Sequence, residues 1–157
     1  MFDTENIQIR KMATSEIENG LHLIWTVFQE FVAPDYSQEG RDYFYNEYIN
    51  GNFKSKFTAG KEYMYGAYIG EKLVGVVSYS ERNTVSCAFV DGDYHHMGIG
   101  KKLFETVLQK LRNQGVSEIK LNASPYALPF YRHIGFKETG TQTSYKGILY
   151  TPMKLLL

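Results

Sequence analysis

The chain has 157 residues, 43% of them hydrophobic and 15% aromatic, which suits one folded domain with a substantial core. Its 17 basic and 17 acidic side chains balance, so it lacks the broad cationic surface that nucleic-acid binding requires. No stretch approaches the roughly 18 apolar residues of a membrane span, and the start lacks a secretory leader pattern. The single cysteine, Cys87, cannot form an internal disulfide. We therefore expect one cytoplasmic domain over residues 1–157 that binds neither nucleic acid nor membrane.

The first third of the chain predicts one strand followed by two helices. IQIRKM alternates apolar and polar residues, as in a half-buried strand. Ser15, followed three residues later by Glu18, indicates a capping box at the start of a helix. The apolar residues of that helix recur at helical spacing: Ile17, Leu21, Ile24 and Phe28. A second helix is predicted over SQEGRDYFYNEYI, although Gly40 weakens it.

The middle of the chain predicts an antiparallel meander and then a helix. YMYGAYI, LVGVVSYS and TVSCAFV are typical of three strands joined by short turns. A helix that ends at Gly115 is predicted from apolar residues at helical spacing, which are Ile99, Leu103, Val107, Leu108 and Leu111. The strand SEIKLNA follows, and a right-handed crossover would make it parallel to TVSCAFV.

The last third predicts a short helix and a hairpin. The helix begins near Ser124 and ends at Gly135, and Pro129 leaves its first turn undefined. Two further strands are expected around a turn between Gly140 and Ser144. The fold class is therefore α/β with a mixed sheet.

Gly98 and Gly100 lie where the strand TVSCAFV gives way to the next helix. A glycine-rich turn at this place leaves backbone N–H groups pointing outward, and the helix dipole adds partial positive charge, which favours an anion. The same glycines would also serve a tight turn without a ligand. A P-loop would need glycine in place of His95 and serine or threonine in place of Lys102. A dinucleotide fingerprint would need glycine in place of Leu103, so both motifs are excluded.

From Val90 to Leu103 the sequence VDGDYHHMGIGKKL resembles the acyl-coenzyme-A pyrophosphate loop of the GCN5-related N-acetyltransferases, the GNAT superfamily. That loop has Arg or Gln, two residues, Gly, one residue, and then Gly or Ala. Here it reads His95, His96, Met97, Gly98, Ile99 and Gly100. His95 departs from the customary Arg or Gln. Because backbone N–H groups would bind most of the phosphate, we expect one altered side-chain contact and a retained site.

A second stretch, LNASPYALPFYRHIGF, resembles the family segment that carries an asparagine on the pantetheine arm and a tyrosine near the thioester sulfur. Asn122 and Tyr131 occupy these positions. The similarity is greatest to small bacterial acetyltransferases of the superfamily. The resemblance implies a central mixed, mostly antiparallel sheet of about seven strands, with a parallel splayed pair in the middle and about four flanking helices.

The resemblance implies an enzyme that moves an acetyl group from acetyl-coenzyme A to a primary amine by direct attack, without a metal. A backbone N–H on the strand before the loop would stabilise the tetrahedral oxyanion. Tyr131 would protonate the leaving thiolate, because a phenol with a pKa of about 10 is protonated at neutral pH and close to the roughly 8.5 of a thiol. The residues expected to bind acetyl-coenzyme A are Ala88, Phe89, Val90, His95, His96, Met97, Gly98, Ile99, Gly100, Lys101, Asn122 and Phe130.

The sequence does not identify the acceptor beyond an amine of a small molecule or peptide. The family places acceptor contacts on the first two helices and the final hairpin, where the candidates are Trp25, Phe28, Glu30, Tyr36, Tyr43 and Tyr145. Most of these also suit a hydrophobic core. A carboxylate such as Glu30, or a water relayed from the sheet, would accept the proton of the amine. Exposed edge strands in the hairpin would allow a homodimer.

A second class of function is a sensor or regulatory domain that binds an acyl-coenzyme A without catalysis. Tyr131 argues against it, because a binding domain needs no acid. A metal site formed by Asp91, Asp93 and His95 is disfavoured because the loop resemblance already accounts for these positions. An enzyme that acts on nucleotide phosphates is disfavoured by the failed P-loop comparison.

Overall fold

Eight strands and five α-helices follow one another along residues 6–157, the part of the chain that the computed structural model describes. The strands are β1 (Ile7–Lys11), β2 (Glu62–Ile69), β3 (Lys72–Ser80), β4 (Val85–Val90), β5 (Glu118–Ala123), β6 (Lys137–Glu138), β7 (Thr143–Tyr145) and β8 (Ile148–Leu156). The helices are α1 (Ile17–Val27), α2 (Gln38–Phe44), α3 (Phe53–Thr58), α4 (Ile99–Asn113) and α5 (Leu128–Ile134). Helices α1 and α2 each continue into a π-helical segment, Phe28–Val32 and Tyr45–Ile49.

The strands form two groups that meet at one point. β1, β2, β3 and β4 pair antiparallel in that order, and β8 pairs antiparallel with β5, β6 and β7. β4 and β5 run parallel and meet at a bridge between Thr84 and Lys120, where the Lys120 N–H donates to the Asn83 carbonyl at 3.1 Å. This is the only β4–β5 pairing within residues 6–157, so the two strands splay apart beyond it. The predicted mixed sheet with a parallel splayed pair is confirmed, with eight strands rather than about seven.

Each face of the sheet carries its own hydrophobic core. On one face, α4 and α5 pack against the strands, and the predicted apolar stripe of α4 is buried from Ile99 to Leu111. On the other face, α1, α2 and α3 pack their apolar side chains around Met64, Val76 and Cys87. The predicted stripe of α1 is buried in this second core. The two cores hold the strands from opposite sides, so the gap between β4 and β5 lies between two packed layers.

The predicted capping box at Ser15 and Glu18 is wrong. A 3₁₀ turn precedes α1, and Glu16 accepts the Ala13 N–H at 2.9 Å. Arg10 also binds Glu16, with two hydrogen bonds of 2.7 and 2.8 Å, and the guanidinium lowers the pKa of that carboxyl to about 2. Glu18 instead forms an ion pair with Lys54 of α3. The cap therefore depends on a strand residue, which a local sequence pattern does not reveal.

Two further elements differ from the predictions. Helix α3 is missing from the predicted set, because its two buried aromatic residues, Phe53 and Phe57, are too few to show a helical period. The hairpin between β7 and β8 turns at Lys146 and Gly147, with φ of 50° and 82°, and not between residues 140 and 144. A two-residue turn of this kind needs positive φ at both positions, and Lys-Gly is a weak signal for it compared with Asn-Gly.

Gly40 lies where α2 meets the β7–β8 turn. A Cβ built on Gly40 would collide with the backbone of Gly147, and one built on Gly147 would collide with Ser37. Ser37 is the N-cap of α2 and accepts the Gly40 N–H at 3.2 Å. The glycine that weakens the predicted helix is therefore required by a close approach between two backbones. This contact fixes the hairpin against α2.

We expect Gly40→Ala to lower the free energy of unfolding by about 2 kcal/mol, because the clash with backbone outweighs the ~1 kcal/mol that alanine gains in a helix. Urea denaturation followed by circular dichroism measures the change. Glu39→Ala, at an exposed position of the same helix, is the matched control and should change stability by less than about 0.5 kcal/mol. A Gly40→Ala protein as stable as wild type would show that the contact is loose.

Candidate active site

Beyond the Thr84 bridge, β4 presents a free backbone edge to the gap. In an antiparallel pair, alternate residues turn their N–H and C=O toward the partner strand. The Asp91 N–H donates to the Val74 carbonyl of β3 at 2.9 Å, so the N–H and C=O of Val90 point away from β3 and into the gap. By the same alternation, those of Ala88 do so as well. An extended ligand that contains amides would satisfy this edge as an added strand does.

The loop after β4 places the N-terminus of α4 at the wide end of the gap. Gly98 is the N-cap and has φ of 78°, in the left-handed region that favours glycine. A Cβ built on it would meet no atom within 4 Å. The Lys102 N–H bonds the Gly98 carbonyl at 3.0 Å, and the N–H groups of residues 99–101 precede this first helical bond. These N–H groups and the helix dipole favour an anion.

Gly100 is required for a different reason. A Cβ built on it would lie 3.0 Å from the Phe130 ring of α5, so the glycine lets the first turn of α4 pack against that ring. Gly98 therefore provides the conformation of the loop, whereas Gly100 provides the contact between α4 and α5.

The other predicted loop residues face in several directions. His95 bonds the Val90 carbonyl through Nε2 at 2.7 Å. His96 is exposed and has φ of 62°, while Met97 packs against the core of the α4 face. Lys101 is exposed and lies 4.0 Å from Glu105 one turn along α4. The loop thus brings backbone groups together, and its side chains do not form one cluster.

Tyr131 is buried on the α4 face of the sheet but is affected by groups of the opposite face. Its ring belongs to the core beneath α4 and lies 5.7 Å, centroid to centroid, from that of Phe104. Burial raises the pKa of Tyr131 well above its ordinary value, and the nearby Cys87 and Tyr36 raise it further. Cys87 and Tyr36 belong to the core of the opposite face. The hydroxyl of Tyr131 is therefore protonated at neutral pH and lies near groups from both faces.

Asn122 lies on the other strand of the splay. Its neighbours Leu121 and Ala123 point into the core of the α4 face, so alternation directs Asn122 to the opposite face. Its side chain is exposed. Cys87 and Phe89 of β4 point to that same face, so Asn122 and these residues flank the gap from its two sides.

The predicted acceptor residues have different environments. Phe28 is fully buried and stacks on Phe44 with ring centroids 3.8 Å apart, and it contacts Tyr36 at 5.6 Å. Burial, with a smaller effect of Asp35, raises the pKa of Tyr36 to about 12. Trp25 is half-buried and packs edge-on against a tyrosine of the second π-helical segment at 4.9 Å. The structure therefore brings Tyr36 near Tyr131 and keeps Phe28 inside the core.

The remaining acceptor candidates mark the rim of this region. Glu30 is exposed, and its carboxylate faces the loop at Gly92, where a Cβ would lie 3.7 Å from Oε1. Tyr43 and Tyr145 contact each other edge-on at 5.8 Å and so join α2 to the β7–β8 hairpin. The first two helices and the hairpin therefore meet on one side of the gap.

Glu62 is a polar group near the site that sequence reasoning misses. It is 3% exposed, and within residues 6–157 its Oε2 and the Ser78 Oγ make no hydrogen bond. Burial raises the pKa of the Glu62 carboxyl, and the hydroxyls of Ser86 and Ser78 oppose this. Burial and then Glu62 raise the pKa of the Cys87 thiol. A single glutamate at the start of a strand resembles an exposed residue, so the sequence gives no signal for this cluster.

The residues considered for a metal have other partners. Asp91 accepts the Asp93 N–H through Oδ1 at 2.9 Å, and His95 bonds Val90. Over residues 6–157, no three His, Cys, Asp or Glu side chains are arranged to hold a metal ion. In the same part of the chain, no helix combines the length and the apolar character needed to cross a membrane.

A family profile described as "Acetyltransferase (GNAT) domain" matches residues 32–157. The chain belongs to the GNAT acetyltransferase family. It is 37% identical over 82 residues to human N-acetyltransferase 8, covering 45% of this chain and 36% of that protein. It is 32% identical over 53 residues to the uncharacterized N-acetyltransferase ycf52 of Gracilaria tenuistipitata var. liui, covering 34% and 29%. The GNAT chain thus spans about a third of the length of these curated relatives.

Solved structures share the GNAT fold over the whole chain. A GCN5-related N-acetyltransferase from Rhodopseudomonas palustris superposes with a TM-score of 0.84 at 17% identity, covering 100% of this chain and 99% of that one. The PaiA N-acetyltransferase from Thermoplasma acidophilum, solved in complex with coenzyme A, gives 0.79 at 20% identity, covering 96% and 99%. At these identities the similarity establishes the fold.

We expect Glu62→Gln to raise the free energy of unfolding by about 1 kcal/mol at pH 8 and by less at pH 4. The pKa of the Glu62 carboxyl is higher in the folded protein than in the unfolded chain, so ionisation of Glu62 lowers wild-type stability as pH rises from the unfolded pKa through the folded pKa. Glutamine cannot ionise and avoids this loss. Urea denaturation at the two pH values measures this difference. Glu81→Gln, at an exposed turn position, is the control. A gain in the free energy of unfolding that is equal at both pH values would mean that burial does not raise the pKa of Glu62.

Proposed function

We propose that the protein transfers an acetyl group from acetyl-coenzyme A to a primary amine of a small molecule or peptide. The observation that carries this proposal is the gap itself, where the free edge of β4, the N-terminus of α4 and Tyr131 converge. Membership of the GNAT acetyltransferase family supports the reaction class. The coenzyme A complex of the Thermoplasma acidophilum neighbour supports the choice of donor by analogy.

The chemistry of the gap fits the two ends of acetyl-coenzyme A. The N–H groups of residues 99–101 suit the pyrophosphate oxygens, and the open space beside Gly98 leaves room for them. The N–H and C=O groups that Ala88 and Val90 turn toward the gap suit the amides of the pantetheine arm. Asn122 faces the same opening from β5 and is proposed to bind that arm as well. The other loop residues and Phe130 would shape the walls of the site.

In the proposed reaction, the amine nitrogen bonds to the acetyl carbon and the carbon–sulfur bond breaks. A backbone N–H on the free edge of β4 would stabilise the oxyanion that forms in between. Tyr131 would donate its phenolic proton to the leaving thiolate, and its raised pKa keeps that proton in place at neutral pH until charge develops. The ammonium form of the acceptor must first lose a proton, which Glu30 or a water held at the sheet would accept.

The acceptor would approach from the side where the first two helices meet the hairpin. Tyr36 lies near enough to Tyr131 to raise its pKa, so it is the first candidate for an acceptor contact. Phe28 would act from the core by supporting the Tyr36 ring. Trp25 would support the wall beside it, and Glu30 at the rim would attract a cationic amine.

We expect excess acetyl-coenzyme A to raise the unfolding temperature of the wild-type protein, since a ligand at a hundred times its Kd stabilises by about 2.7 kcal/mol. Tyr131→Phe should retain this shift but release thiol at least about 10²-fold more slowly with an amine acceptor, because it lacks the donated proton. A thiol-reactive dye measures the release. Tyr63→Phe, on β2, is the matched control, because the Tyr63 hydroxyl donates to the Gly60 carbonyl at 3.0 Å.

Two outcomes would contradict this proposal. The absence of a thermal shift at millimolar acetyl-coenzyme A would rule out acetyl-coenzyme A as the donor. A clear shift without thiol release from a broad panel of amines would instead favour a sensor that binds acyl-coenzyme A without catalysis.

A further inference from the structure

Three rings from separate segments meet at the mouth of the gap. The Phe31 ring, from the π-helical segment after α1, lies 4.6 Å from the His95 ring and 5.3 Å from the Tyr126 ring, centroid to centroid. Phe31 also packs on the loop backbone, because a Cβ on Gly92 would lie 2.9 Å from its ring. Tyr126 belongs to the connection between β5 and α5 and is 47% exposed. The cluster therefore links both sides of the gap to the end of α1.

His95 spans the mouth through hydrogen bonds. A carbonyl only accepts, so Nε2 at 2.7 Å from the Val90 oxygen must carry the hydrogen and donate it. In the neutral ring, Nδ1 then holds a lone pair, and the Tyr126 hydroxyl lies 3.4 Å from it in a position to donate. One end of the imidazole is thus bound to the edge of β4, and the other faces the β5 side.

The Val90 carbonyl is one of the groups that the gap offers to an extended ligand. It points away from β3, because the neighbouring Asp91 N–H is the group that pairs with that strand. His95 occupies this acceptor in the structure. An amide of a pantetheine arm and the imidazole N–H would compete for the same oxygen, although the carbonyl has a second lone pair.

We propose that His95 gates the gap, closing over Val90 when the gap is free and swinging away when the pantetheine arm of coenzyme A is inserted. Phe31 and Tyr126 hold the ring in its closed position. The proposal rests on the proposed function, since it concerns the same donor site. Its consequence is that the measured affinity equals the intrinsic affinity multiplied by the fraction of molecules with an open gate. If His95 instead bound phosphate, removing its side chain would lower the affinity for coenzyme A rather than raise it.

The test compares two ligands by isothermal titration calorimetry. Coenzyme A carries the pantetheine arm, whereas 3′-phosphoadenosine 5′-diphosphate has the same nucleotide and pyrophosphate without it. Tyr126→Phe and Phe31→Leu weaken the closed position without changing His95, and His95→Ala removes the gate. We expect all three variants to bind coenzyme A roughly three- to tenfold more tightly, and to bind the nucleotide as the wild type does. His133→Ala, at an exposed position on α5, is the control and should change neither affinity.

The alternative results are distinct. If His95→Ala weakens binding of both ligands, His95 is a phosphate ligand and the gate is wrong. If His95→Ala weakens the binding of coenzyme A alone, His95 contacts the bound arm and the gate is wrong. The gate is also wrong if no variant changes the affinity for either ligand. Wild-type protein that binds the nucleotide but not coenzyme A, while His95→Ala binds both, would support a gate that is almost always closed. If neither the wild type nor any variant binds coenzyme A or the nucleotide, both the proposed donor and the gate are wrong.

Because the three variants remove different groups, misfolding of one would not decide the outcome. Circular dichroism and urea denaturation of each variant establish that it is folded before its affinity is compared. Stopped-flow fluorescence gives a second readout. An open gate should raise the association rate of coenzyme A and leave that of the nucleotide unchanged.

Discussion

The bridge between Thr84 and Lys120 holds β4 and β5 together at one end and leaves them apart at the other. An open edge in the middle of a sheet is costly where backbone groups lose water without gaining partners. Here the two groups of strands stay attached because a separate core holds them on each face. One core lies under α4 and α5, and the other lies under α1, α2 and α3. The free edge of β4 is therefore a product of the packing, and the donor site is proposed along it.

The two glycines of the α4 loop show why residue type alone does not explain a motif. Gly98 is required by its positive φ, and the space beside it is open. Gly100 is required by the Phe130 ring, and no ligand enters that explanation. Gly40 has a third cause, the approach of the hairpin backbone. In the sequence these glycines look alike, because the backbone conformation at Gly98 and the distant partners of Gly100 and Gly40 are not local patterns.

The long periodic elements could be predicted from the sequence, since the apolar faces of α1 and α4 and the alternation of the meander are local patterns. The expected positions of Asn122 and Tyr131 came from the resemblance to a family. The Glu62 cluster could not be predicted, because it depends on strand register and on a bulge at Ser86 that brings three strands together. The capping role of Glu16 likewise depends on Arg10 from a neighbouring strand.

The π-helical segment after α1 connects the proposed acceptor side of the gap to the proposed donor loop. In a regular α-helix, Phe28 and Phe31 would share one face, because residues three apart lie nearly above one another. A π turn contains more residues, so the same spacing turns the two rings in different directions. Phe28 enters the core against Phe44, while Phe31 reaches Gly92 and His95. This one helical turn therefore supports Tyr36 through Phe28 and the loop through Phe31, so the proposed acceptor and donor sides depend on the same short segment.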